Sequence, residues 1–254
     1  MAYTFSKTPN HSYLRTTTGP PQWGTGTPTF SVSAWFRVSN VTESHTIVRL
    51  EHGGTNTRYV LSAAGEDTND PVKWFSQTAG STYTASMTSF SADTWHHVLG
   101  TAGGRLGLFR TVTLALDGAQ IMAESAAAFP DDDESYVQIG GDNAFIPAPT
   151  GSVAEVAIYN IDLSAASYYP ARLALAKGYS PACVFPQNLI FYAPLVRDLQ
   201  DVKAGHTLTA YNSPTVGEHC PVRRPANSFP APYAPYVPPV TGSSWYYNRK
   251  RLVA

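Results

Sequence analysis

The sequence predicts an all-β fold of short strands joined by tight turns, and three observations carry that prediction. The segment Thr29–Val38 (TFSVSAWFRV) alternates strictly. Phe30, Val32, Ala34, Phe36 and Val38 share one face, and Ser31, Ser33, Trp35 and Arg37 share the other. That period belongs to a strand and not to a helix. Asp117–Gly118 lies between the run Arg110–Leu116 and the return segment AQIMAE, a tight hairpin signal. The 19 Gly and 20 Pro among 254 residues supply the turns that many short strands need.

Composition narrows the function classes. Hydrophobic residues make up 43% and aromatic residues 12%, enough for a sizeable core. Charged residues are only 14% and the net charge is −1, so no nucleic acid or anionic membrane is expected as partner. Two cysteines, Cys183 and Cys220, are too few for a disulfide framework and show no CxxC spacing, so both read as free thiols. The first residues have no basic head followed by an apolar core, so no signal peptide is expected. No run of about 18 apolar residues occurs, so no membrane-inserted helix is expected. Use or assembly in a cytoplasm follows, with the sequons at Asn10 and Asn40 coincidental.

Taken in order, residues 1–27 are rich in Thr, Pro and Gly and read as an extended lead-in, with one strand at Ser12–Thr17. After Thr29–Val38 come strands at Thr46–Leu50, Arg58–Ser62 and Val72–Gln77. HGGTNT and GEDTNDP separate them, with glycine for positive φ and Asn and Asp for local hydrogen bonds. Thr94–Thr101, the hairpin at Asp117–Gly118 and Tyr136–Ile139 follow. In Gly151–Tyr159, Ala154, Val156 and Ile158 are expected on the core face. Val153, Glu155, Ala157 and Tyr159 are expected on a wetter one. Ser164 is the expected N-cap of a short helix over AASYYPARLALAKG. Two further strands are expected at Leu189–Leu195 and Thr207–Tyr211.

The ordered series W-H-x-V (Trp95–Val98), L-D-G (Leu116–Gly118), V-x-I-G-G (Val137–Gly141) and G-x-V-A-E-V-x-I-Y-N-x-x-L-S (Gly151–Ser164) resembles a concanavalin A-like lectin/glucanase domain of the laminin-G-like type. The resemblance covers residues 28–180. It implies a two-sheet antiparallel jelly-roll sandwich with one short helix. In many laminin-G-like domains a segment like residues 181–220 precedes the sandwich. Here it follows, either completing the same sandwich or pairing with a neighbouring copy. The link AKGYSP into LIFYAPL resembles domains of tailed-phage virion proteins.

Residues 221–254 break the composition. They hold seven prolines, and five of the chain's 17 Lys and Arg, while all 18 acids lie before them. Proline-rich chain favours polyproline II and cannot build ladders. A solvated linker avoids aromatics, yet this stretch carries Tyr233, Tyr236, Trp245, Tyr246 and Tyr247 beside Arg223, Arg224, Arg249, Lys250 and Arg251. It reads as a docking arm, with those residues as the assembly interface.

Glycoside hydrolysis needs two carboxylates across the scissile bond, and no E-x-D-x-x-E string exists; Glu155 is the one acid of its strand and reads as solvated. Asp131, Asp132 and Asp133 before a strand, with Asp142 after Gly140–Gly141, are a candidate site for a hard cation such as calcium. A solvated acidic loop is the simpler account, and no other cofactor is expected. His96 and His97, being adjacent, point to opposite faces and read as packing residues. Trp74 and Tyr83 are candidate sugar-stacking residues, with burial as the alternative. The expected function is that of a non-enzymatic accessory virion protein of a phage, decorating the capsid or building the tail. Its expected partners are other virion proteins and copies of itself. The alternative is a lectin-like module gripping a host glycan, and a glycoside hydrolase is a minor alternative.

Overall fold

The computed structural model describes residues 2–6, 12–18, 29–39, 41, 45–52, 58–63, 72–78, 81–87, 90–106, 109–118, 120–126, 135–141, 150–196 and 199–223. They belong to one unit, Met1–Arg224; the second unit, Pro225–Ala254, lies outside the described residues.

The elements in chain order are β1 (Ala2–Phe5), β2 (Tyr13–Thr16), β3 (Phe30–Val38), β4 (His45–His52), β5 (Arg58–Ala63), β6 (Val72–Thr78), β7 (Ser81–Met87), β8 (His96–Leu106), β9 (Phe109–Leu116), β10 (Gln120–Ala126), β11 (Ser135–Gly140) and β12 (Gly151–Tyr159). A 3-10 turn (Ala166–Tyr168), helix α1 (Tyr169–Ala176) and strands β13 (Leu189–Ala193), β14 (Leu208–Tyr211) and β15 (Thr215–Gly217) follow. The first sheet runs β10-β9-β8-β3-β12-β1-β15, with β13 also on β12; the second runs β14-β2-β11-β4-β5-β6-β7. The strand pairings are antiparallel, which bears out the two-sheet sandwich.

β3 shows why this sequence makes a sandwich. Phe30, Val32, Ala34, Phe36 and Val38 enter the core between the sheets, as the alternation predicts. The core's centre is Trp74, fully buried, stacked on Tyr59 at 5.3 Å and edge-on to Phe30 at 6.2 Å. Its indole N–H donates to the Thr101 carbonyl at 2.8 Å, so the one polar atom of the ring is satisfied. Room for the ring comes from Gly100, where a Cβ would lie 2.5 Å from it.

The outer face of the first sheet is covered too. Leu99, Ala115, Ala157 and Tyr159 pack under Leu163, Leu175, Val184 and Leu189. Trp35, Ala2 and Ala154 pack with Cys220. β13 lies on β12, β14 on β2 and β15 on β1.

Three expectations are corrected. Within residues 1–27, Ala2–Phe5 is a strand of the first sheet as well as Tyr13–Thr16 of the second; such four-residue strands carry no readable period and find their partners far along the chain, Tyr3 at Val153 and Leu14 at Ile139. Ser164 does not cap a helix: its hydroxyl and amide bond to Asp162 Oδ1 at 2.5 and 2.8 Å, and no side chain caps the 3-10 turn or α1. The faces of β12 change phase midway. Relative to β3 the register shifts between Ala154 and Ala157, a β-bulge, so that Val153, Val156 and Ile158 face the core while Ala154, Ala157 and Tyr159 face outward.

Candidate functional site

The bulge is centred on Glu155, whose φ of +52° is in the left-handed region that non-glycine residues rarely occupy. It marks the point where the free edge of β12 changes partner, from β1 along Gly151–Val153 to β13 along Val156–Tyr159. Glu155 is not solvated as expected but 1% exposed. Burial of a carboxylate demands partners, and they come from the chain that follows. Tyr192 donates its hydroxyl to Oε2 at 2.5 Å, and His219 Nε2 lies 3.3 Å from Oε1. Because that hydroxyl proton is spent on Glu155, Ser180 Oγ, 3.0 Å away, is the donor to the Tyr192 oxygen. Burial and then the Glu155 charge push the Cys220 thiol far above its ordinary range, so its sulfur, 3.7 Å from His219 Nδ1, is held protonated. This cluster ties residues 178–223 to the outer face of the first sheet. The backbone finishes the tie, with Ser180 N donating to the Arg223 carbonyl at 3.1 Å.

A second polar cluster closes the β9–β10 hairpin. Asp117 accepts from His96 Nδ1 and from the His97 amide, both at 2.8 Å. The bond to Asp117 raises His96 above its ordinary value despite burial. His97 turns to the other face, 2.9 Å from Ser33 Oγ and packed on Trp35, and burial lowers it to about 4. The pair divides between faces as expected.

The outer face of the second sheet has a different character. Register places Thr209, Arg15, Gln138, Arg49 and Val60 in one cross-strand row. Tyr211 and Tyr13 form the neighbouring row on one side, and Tyr136 and Glu51 the row on the other. Tyr211 and Tyr13 stack at 4.6 Å and 13°, and Tyr211 remains 40% exposed. The Arg15 guanidinium lies over the Tyr136 ring at 3.5 Å. Glu51 pairs with the buried Arg49, and burial and then Glu51 push the Tyr136 hydroxyl up to about 12. Gln138 donates to the Gly141 carbonyl. Towards β14 this face is open: Thr209 and Tyr211 are exposed, and Arg15 and Tyr136 half-buried. An exposed ring flanked by fixed polar donors and acceptors can stack on a pyranose and bind its hydroxyls.

Of the residues expected to bind sugar, Trp74 is in the core, because its place in β6 points inward onto Gly100. The side chain of Tyr83 lies outside the described residues, as do Asp131, Asp132, Asp133 and Asp142. Among the described residues no group of three His, Cys, Asp or Glu is placed to hold a metal. Of the expected interface, Arg223 is exposed on the Gly178–Ser180 backbone; the remaining arm residues lie outside the described ones. Tyr13, Arg15, Tyr136 and Tyr211 escaped notice. The signal was present in YLRT, where Tyr13 and Arg15 flank the inward Leu14, but four residues are too few to assert a face.

Comparison with known proteins agrees with this architecture. The native heptameric SAP-like pentraxin from Limulus polyphemus superposes with a TM-score of 0.59 at 12% identity, covering 86% of this chain and 94% of that one. Domains LG4-5 of the mouse laminin alpha1 chain align at 16% identity with a TM-score of 0.47, over 63% of this chain and 42% of that one. The enzymatically active domain of tailspike protein 2 from bacteriophage CBA120 aligns at 14% identity and 0.47, over 76% and 29%. The chain thus spans less than half of the laminin and tailspike chains. No curated protein sequence matches. Residues 8–167 match the family described as the concanavalin A-like lectin/glucanases superfamily, to which this chain therefore belongs.

Proposed function

We propose that this protein is a carbohydrate-binding module without catalytic activity, and that the open end of the second sheet is its site. The observation that carries the reading is the exposed Tyr211 ring, stacked on Tyr13 beside Arg15 and Tyr136. A non-enzymatic role is supported by Glu155, whose carboxyl is buried, with Oε2 accepting from the Tyr192 hydroxyl and His219 covering Oε1 at 3.3 Å. A glycan array probed with full-length protein and with Tyr211→Ala tests it. Binding to a defined glycan set that the variant loses is the expected result. Silence of the wild type across the array at high protein concentration overturns it.

The composition of residues 221–254 supports a setting for that module: an accessory protein of a phage particle, docking through its aromatic and basic arm onto virion proteins or copies of itself. Light scattering of the full chain beside one ending at Arg224, which keeps the Arg223 pairing, tests the arm. A defined oligomer that becomes a monomer on truncation is expected; identical masses count against docking onto copies of itself.

A further inference from the structure

Arg15 stands in the middle of the open face, opposite Gln138 of β11 and Thr209 of β14. Its guanidinium plane is fixed by the Tyr136 ring at 3.5 Å. A stacked guanidinium keeps its N–H donors around its rim, in the fork that matches a carboxylate. Among the described residues no carboxylate takes that fork. Glu51, in the next row, is committed to Arg49 and to the Tyr136 hydroxyl. Arg37 shows the contrast, pairing with Glu218 at 3.2 Å. Arg58 lies opposite Glu51 in the same row, so three arginines share these rows with one carboxylate, and among the described residues no acid pairs with Arg15. The Tyr13–Tyr211 stack lies one row away, about 7 Å along the strands.

Resting on the carbohydrate-binding reading, we infer that the ligand is an acidic saccharide. Its carboxylate is held bidentate by Arg15 while its ring lies against Tyr211. A neutral sugar leaves the Arg15 fork facing hydroxyls, which neither neutralise it nor match its geometry.

The test uses full-length protein and four probes: tetragalacturonate, its full methyl ester, 3′-sialyllactose and lactose. The expected result is at least tenfold tighter binding of a carboxylated probe than of its neutral partner, with the advantage shrinking as salt is raised. Whichever acid wins identifies a uronate or a sialate as the source. Arg15→Gln abolishes the advantage, and Arg15→Lys restores part of it, because an ammonium supplies charge without the fork. Unchanged thermal midpoints establish that the variants fold, and the lysine variant serves if the glutamine one does not. Equal binding of charged and neutral partners, an advantage that survives Arg15→Gln, or selectivity confined to sulfated or neutral array glycans overturns the acidic ligand and leaves the carbohydrate reading standing. Failure to bind any probe or any array glycan overturns both.

Discussion

His219 Nε2 lies 3.3 Å from Glu155 Oε1, and through that contact the last described segment is fastened to the bulge of a central strand. Removing the imidazole takes away the neighbour of a buried carboxyl oxygen and of the Cys220 and Pro194 carbonyls, 2.8 and 3.2 Å from its ring nitrogens. His219→Ala is expected to lower stability by about 2 kcal/mol, while Glu155→Gln, which keeps an acceptor for Tyr192, costs less. Urea midpoints at unchanged slope measure both. A His219→Ala protein as stable as wild type would show that the contact holds nothing.

The two adjacent histidines carry opposite pH signatures. His96 is raised in the fold, chiefly by its bond to Asp117, so its contribution is complete below the ordinary value of 6.5 and is lost as pH rises through the folded value. His97 is lowered to about 4, chiefly by burial, so it withdraws stability as pH falls from 6.5 towards 4. Its full effect is of order 3 kcal/mol. Unfolding free energy followed from pH 4 to 9 should lose its acid limb in His97→Gln and its alkaline limb in His96→Gln. Identical pH profiles in all three proteins would contradict the assignment.

The contact between Gly100 and Trp74 admits no side chain. A Cβ there meets three indole carbons within 2.9 Å. Gly100→Ala is therefore expected to destabilise by about 2 kcal/mol or more through overpacking, and Gly100→Val to prevent folding. Trp74→Ala should cost about 4 kcal/mol through the cavity it leaves. Calorimetry reads each; a Gly100→Ala midpoint equal to wild type would mean the ring can move aside.

Asp201, 1% exposed, gathers the backbone N–H groups of Tyr192 at 2.7 Å and of Lys203 and Ala204 at 2.9 Å. It thereby seats Tyr192 for Glu155. Asp201→Ala leaves these donors unpaired and should cost about 2–3 kcal/mol. Hydrogen exchange at the Tyr192 and Ala204 amides should accelerate markedly, and unchanged protection would refute that role.

Legibility followed length and locality. β3 was readable because nine residues of strict alternation leave one solution, and the β9–β10 hairpin because Asp117 and Gly118 both take the positive φ that a tight turn needs. β1, β7 and β15 were not, since a strand of three to seven mixed residues is defined by its partner across the fold and not by its own pattern. Trp74 illustrates the same limit for the site. Beside a polar loop it looks like a sugar platform, and only the register of β6 turns it inward.

By itself, then, the sequence determined the class, a sandwich of alternating strands with two free thiols and a basic, aromatic C-terminal segment. Tertiary structure decided which polar residues meet. The bulge at Glu155 reverses the faces of β12, and pairing of β14 with β2 brings Tyr211 against Tyr13, 198 positions earlier in the chain. Both depend on one-residue differences in register, which move every side chain to the other face yet leave the local hydrophobic period unchanged.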